Sequence, residues 1–136
     1  MSARHWRTAD RGTVTAFVAT LLLALIVLTG LVLDSGLALA TKIRADGQAE
    51  AAARAGAQAL DLTAYRATGA ITLVPDQAVH NAQAHLAAQG AMGTVAVAGD
   101  SVTVTITASQ PTQLLGLIGI TSLTVHGDGS ARPQQD

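Results

Sequence analysis

The chain of 136 residues has no cysteine, three prolines, and a single tryptophan, tyrosine and phenylalanine. Without cysteine there are no disulfides, no thiolate chemistry and no cysteine-ligated zinc site. With aromatics at 2% there is no stacking platform for bases or sugars. Charged residues make up 12% of the chain, against about 25% in an ordinary soluble domain. The formal net charge is −1, so the chain lacks the basic footprint of a nucleic-acid binder. What remains is apolar: 49% of residues are hydrophobic, in a length that holds one domain or one domain with an anchor.

The apolar content is concentrated. Residues 13–33, TVTAFVATLLLALIVLTGLVL, contain no charge and no proline. As a helix this run rises about 31 Å, which matches a hydrocarbon core of about 30 Å. A chain this short has little left with which to bury such a helix on all sides, so the run reads as a transmembrane helix rather than a core helix. Arg4, Arg7 and Arg11 precede it with only Asp10 opposing, whereas the charges that follow are balanced. That asymmetry predicts a cytoplasmic basic leader over residues 1–12, with Trp6 at the inner interface, and an extracytoplasmic remainder. Ala38-Leu39-Ala40 fits a signal-peptidase site, but the apolar run exceeds the roughly 7–15 residues of a signal peptide.

The helical pattern continues over residues 34–63, where Ala, Gln, Glu, Arg and Leu favour helix and Gly36, Gly47 and Gly56 weaken it. Ala49, Ala53 and Gly56 form a small-residue face that allows another backbone to come close. Two readings stay open: this face packs on other helices, or it lies on the chain's own domain.

Residues 64–130 read as a small α+β domain. A loop over 64–74 is followed by a helix that opens at Pro75, buries Ala78, Val79, Ala82 and Leu86, and stops at Gly90. TVAVAGDSVTVTIT predicts a hairpin with Gly99-Asp100 as a type II′ turn. That turn sets Val97 opposite Val102 and Val95 opposite Val104, with valines on a core face and threonines on a wet face. Pro111 opens an apolar stretch, Leu114 to Ile120, of one or two helical turns. A third strand near 122–126 places Leu123 and Val125 on the core side and His126 outside. The tail is expected to fray from Gly127, with residues 131–136 disordered.

Chemistry-bearing residues are sparse. His80 and His85 lie about 140° apart on a helix and do not share one metal. Asp34 closes the apolar run, either as a polar stop beside Gly36 at the membrane boundary or as a contact for a neighbouring helix or an assembly protein. Nucleophile-elbow, phosphate-loop and zinc-protease patterns are absent. The chain therefore reads as a non-enzyme with no cofactor, metal or small-molecule substrate.

Asp10-Arg11-Gly12-Thr13 ahead of the apolar run, and Gly30-Leu31-Val32-Leu33-Asp34-Ser35-Gly36 at its close, resemble the N-terminus of the TadE/TadG-like Flp pilus-assembly proteins of the bacterial tight-adherence apparatus. The resemblance implies a pilin-like single-pass subunit. Its long transmembrane helix continues into an extracytoplasmic domain with a three-stranded antiparallel sheet. Its partners would be membrane lipid, other pilin-like subunits and Tad assembly proteins. In a filament, Ala19, Ala24 and Gly30 would serve helix packing together with Ala49, Ala53 and Gly56. The resemblance also points to Gly12-Thr13 as a peptidase site. The chain carries Phe17 where such sites have an acidic residue, and its apolar helix lacks the proline of many relatives, so processed and intact forms both stay open. The alternatives to a pilus-assembly component are an anchored extracytoplasmic binding module unrelated to pili and a small secreted domain that begins at Thr41.

Overall fold

Leu, Ile, Val and Ala without proline from residue 13 onward, then an alanine-rich stretch, give one unbroken helix. In the computed structural model, which describes the backbone of residues 9–134 and the side chains of residues 12–134, this helix is α1, Ala9–Ala57. The leader with Arg4, Arg7 and Trp6, the Arg11 side chain and the last two residues of the tail lie outside the described residues. At about 1.5 Å per residue, α1 is roughly 74 Å long. Gly36 and Gly47 do not interrupt it, because each faces open space and costs propensity only.

The two halves of α1 live in different surroundings. Its apolar part is long and apolar enough to cross a membrane, and only 6% of that window is buried. A core helix would be covered; this one presents Phe17, Leu23, Ile26 and Val32 to the outside. The hydroxyls of Thr20 and Thr29 donate back to the carbonyls of Ala16 and Leu25 at 2.8 Å each, so neither needs water.

Beyond Ala57 the chain differs from the expected helix to residue 63 and loop over 64–74. A bridge between Leu60 and Leu73 closes a short excursion that contains a second helix, α2, Leu62–Thr68. Asp61 starts it: its carboxylate accepts from the Thr63 and Ala64 N–H groups at 3.0 Å. Gly69, with φ of +71°, ends it. The third helix, α3, spans Pro75–Ala88 and buries Ala78, Ala82 and Leu86, as its spacing predicts, while Val79, expected on the same face, is only half-buried.

Three strands follow: β1 (Gly93–Ala98), β2 (Ser101–Pro111) and β3 (Ser122–Ala131), antiparallel in the order β1-β2-β3. The hairpin register is the expected one, with Val95 opposite Val104 and Val97 opposite Val102. Gly99 supplies the positive φ, +62°, that a type II′ turn needs at its first central position. Val102, Val104 and Ile106 are buried, and Thr103 and Thr107 face out. The outer half of α1 lies over β2 and β3, and α3 lies beside it over β1, so two layers enclose one core.

That core is made mostly of alanine, with Val102 and Val104 among its largest fully buried side chains. Small residues bury little area each, about 25 cal/mol per Å². What they offer is proximity. Gly127 and Gly129 on β3 are buried, and a Cβ on either would collide with the α1 backbone at Ala45–Asp46 and Ala49–Glu50. The helix therefore rests directly on the strand, and dispersion contacts between backbones replace those of large side chains. This explains why β3 runs five residues past the expected end at His126: the glycines that read as fraying are the docking surface. Gly56 repeats the device, since a Cβ there would come within 2.9 Å of the Ala78 carbonyl and 3.0 Å of Val102.

The free edge of β3 is guarded by the same helix. Lys42 Nζ donates to the His126 carbonyl at 2.9 Å, and the Asp128 N–H donates to Asp46 at 3.1 Å. Side chains on α1 thus occupy edge groups that would otherwise invite another strand.

Two substitutions test this packing in thermal or denaturant unfolding of the full-length chain. Val104→Asp buries a carboxylate with no partner and is expected to cost about 2–5 kcal/mol. Gly129→Val forces a branched side chain into the α1 backbone and is expected to cost at least the ~1–3 kcal/mol of ordinary overpacking. Unchanged stability of the second variant would disprove the backbone-on-strand contact.

Candidate functional site

The residue with the most unusual surroundings is Asp34. It sits one turn beyond Gly30 on α1, its carboxylate is 1% exposed, and it is the one buried charged residue among the described side chains. No cation among the described residues pairs with it. It accepts three backbone N–H bonds, from Gln113 at 2.8 Å, Leu114 at 3.1 Å and Leu115 at 2.7 Å. These groups open the 3₁₀ turn Leu115–Ile118 between β2 and β3, and Leu114, at the cap position, has no side-chain acceptor of its own. Asp34 therefore caps a turn some 80 residues away in sequence. Three charge-assisted bonds offset the desolvation of the carboxylate, and in return three of the turn's donors are satisfied without water, the Leu115 bond fully buried and the other two part-buried.

Gly30 completes the joint. A Cβ there would lie 2.8 Å from Leu114 Cβ, so the missing side chain is the notch that admits Leu114. Leu114, Leu115, Leu117 and Ile118 then share a shallow apolar surface with Leu23, Ile26 and Val27 of α1. The loop thus reaches down alongside the apolar helix, held by one carboxylate and one glycine.

The remaining residues singled out from the sequence fall into three groups. Ala49 and Ala53 are fully buried under the domain and Gly56 is enclosed by α3 and β2, so in the isolated chain these small residues, with Gly30, pack on their own domain. Ala19 and Ala24 stand on the bare part of α1, and Gly36 faces open space. Gly12 and Thr13 are exposed, and the bond between them lies inside α1. Of the histidines, His80 and His126 are exposed; His85 contacts Gln89 at 2.9 Å and His126 contacts Thr107 at 3.3 Å. Among the described residues no group of His, Cys, Asp or Glu is arranged to hold a metal. A cleft of about 430 Å³ opens between α2 and the tail, lined by Leu60, Asp61, Tyr65 and Thr72; its carboxylate is engaged in capping α2.

Sequence pattern alone does not link Asp34 to its partner loop. The signal was present in Leu114-Leu115-Gly116-Leu117-Ile118, an apolar stretch with no core position assigned to it, but nothing local connects it to a residue so distant. Gly127-x-Gly129 carried a clearer one: two glycines at strand spacing opposite alanines at helix spacing.

Replacing Asp34 with Ala strands three N–H donors. At about 1.5–3 kcal/mol per hydrogen bond to a charged group, and allowing for non-additivity, docking of the turn is expected to weaken by on the order of 3 kcal/mol. Hydrogen exchange at the amides of residues 113–115 reads this directly; protection equal to that of the parent chain would refute the clasp.

Among curated proteins and among solved structures, none matches this chain. The sequence profile of a known family does match, over residues 12–59, a segment that starts just before the apolar run and ends just past the last turn of α1. Asp34, Gly30 and the alanines that seat α1 on the sheet all fall inside it. Over residues 12–59, about a third of its length, this chain is similar to the family described as TadE/G-like Flp pilus assembly.

Proposed function

We propose that this protein is a membrane-anchored, minor pilin- or pseudopilin-like component that assists assembly of a Tad/Flp-type pilus or secretion apparatus. The observation that carries the reading is the coincidence of the family match with α1, a helix whose first half is bare and apolar and whose second half is the spine of a folded domain. In this reading the N-terminus is cytoplasmic and the domain extracytoplasmic, as the positive flank favours.

The physics of assembly fits the same helix. In the bilayer its apolar side chains contact lipid tails, which are as apolar as Leu. Transfer into a bundle of like helices therefore gains little from hydrophobicity and depends on close packing at small residues. Ala19 and Ala24 lie on the part of α1 that its own domain leaves bare, so they are available for contact with other pilin-like subunits. Gly30 is occupied by Leu114, which confines intermolecular packing to the helix below it.

A second reading, an anchored extracytoplasmic module unrelated to pili, is favoured by the extent of the match: the sheet, α2, α3 and the Leu115–Ile118 turn lie wholly or almost wholly beyond residue 59. One set of measurements separates the two. In cells that make the appendage, the full-length chain is expected to stay in the membrane pellet after carbonate washing and to co-purify with Tad components, and its deletion is expected to lower surface pilus yield. Normal piliation with no Tad component in the purified material would favour the unrelated module. Intact mass of the mature chain gives the form used: a start at Thr13 marks peptidase processing, an unshortened chain marks a permanent anchor, and a start at Thr41 marks release.

A further inference from the structure

The turn clasped by Asp34 has an outward side. Leu117 is 80% exposed, Ile118 58% and Ile120 44%, large apolar side chains at the tip of a loop in a domain whose other outward sheet positions are mainly threonine and serine. No Asp, Glu, Lys or Arg occurs anywhere from residue 101 to residue 127. The tip lies against Leu23, Ile26 and Val27 of α1, so its exposed side continues the bare surface of the helix. These α1 residues lie 7–11 positions before Asp34, about 10–16 Å below it along the axis. Taking residues 13–33 as the span, that level is inside the hydrocarbon core, from the midplane at Leu23 into the domain-side leaflet at Ile26 and Val27.

The backbone of the loop is equipped for such a place. In lipid every N–H and C=O needs an internal partner. Asp34 takes the N–H groups of Gln113, Leu114 and Leu115. Leu117 donates to the Leu114 carbonyl, Gly119 to Gly116 and Ile120 to Leu115, at 3.1–3.2 Å. The Thr112 N–H donates to the Thr121 carbonyl at 3.1 Å, and the Thr112 hydroxyl donates to the Ile120 carbonyl. At least seven of the nine N–H groups from Thr112 to Ile120 thus have an internal acceptor, which lowers the cost of moving this turn out of water.

We propose that the loop Leu114–Ile120 is a second membrane-embedded element: a wedge that dips into the domain-side leaflet beside α1 and faces lipid acyl chains through Leu117, Ile118 and Ile120. Asp34 makes this possible by satisfying the turn's donors at the depth where water ends. The domain then rests on the bilayer at two points, the helix and the wedge, and the loop adopts its place by continuity with the lipid-facing surface of the span. This inference rests on the reading of α1 as a membrane span, and the experiment reports on the two separately.

The chain has no cysteine, so single nitroxide labels can be placed without altering native thiols. Leu117→Cys, Leu25→Cys on the bare helix and Thr103→Cys on the outer sheet face are each labelled in the full-length protein, reconstituted in phosphatidylcholine vesicles at high lipid excess. Collision with oxygen, which concentrates in lipid, and with a water-soluble nickel chelate is read by electron paramagnetic resonance. Leu117 is mostly exposed, so its replacement removes little packing, and retained protease resistance confirms the fold. The label at 117 is expected to match the label at 25 in oxygen access and to fall several-fold below the label at 103 in nickel access. If 117 behaves like 103 while 25 stays lipid-like, the wedge is refuted and the span stands. If 25 itself is water-accessible, the span fails and the wedge with it. If 117 is shielded from both reagents, or shows spin–spin broadening from a neighbouring copy, the tip is a subunit contact and the lipid assignment is overturned.

Discussion

The closeness of α1 to β3 is the constraint on which the rest of the structure depends. Alanines at 45 and 49 meet glycines at 127 and 129, and each added carbon would strike backbone. The domain has few large side chains to bury, and no disulfide supplements them. A core of this kind is held by many short-range contacts rather than by extensive desolvation, so it tolerates little change in volume. The proximity also lets Lys42 and Asp46 reach the strand edge, and it seats the outer half of the helix so firmly on the sheet that helix and domain form one body.

At the other end of that body the problem is electrostatic. Where the apolar helix meets the domain, a turn presents unpaired N–H groups and a carboxylate lies out of water. Each would be costly alone. Together they cancel: Asp34 receives three donors, and the turn gains a cap that its own sequence lacks. Gly30 sets the distance by leaving room for Leu114. A charge that reads either as a polar stop to the apolar run or as a contact for another protein is, within this chain, a structural joint, and its burial is bearable because the acceptor geometry is nearly saturated.

Much of this architecture was legible in residues 13–33 and 93–107, where the signals are local. An uncharged run of bilayer length, a glycine-led turn between alternating valines and a proline at the head of an amphipathic stretch each act within a few residues, and the structure follows them. The features that escaped were of two kinds. Asp61 nucleates α2 inside a stretch that looked like loop, because a seven-residue helix carries too little periodicity to stand out. Gly127 and Gly129, and the pairing of Asp34 with residues 113–115, depend on partners about 80 residues away. Glycine in isolation signals freedom; only the opposing alanines turn it into a point of contact. The small-residue face of α1 raised two possibilities, and in the isolated chain its outer half is spent on the domain, which leaves the inner half for other partners.

The absence of any break in α1 has a mechanical consequence. From Ala9 to Ala57 there is neither proline nor a 3₁₀ interruption, and Gly36 and Gly47 stay within the hydrogen-bonded ladder. With the sheet fastened to one end and the Asp34 joint bracing the middle, α1 contains no break among the described residues at which the outer portion would swing free. A tilt, a twist or an axial pull applied to the bare stem is passed to the β-sheet along one continuous helix, as through a shaft keyed to its wheel.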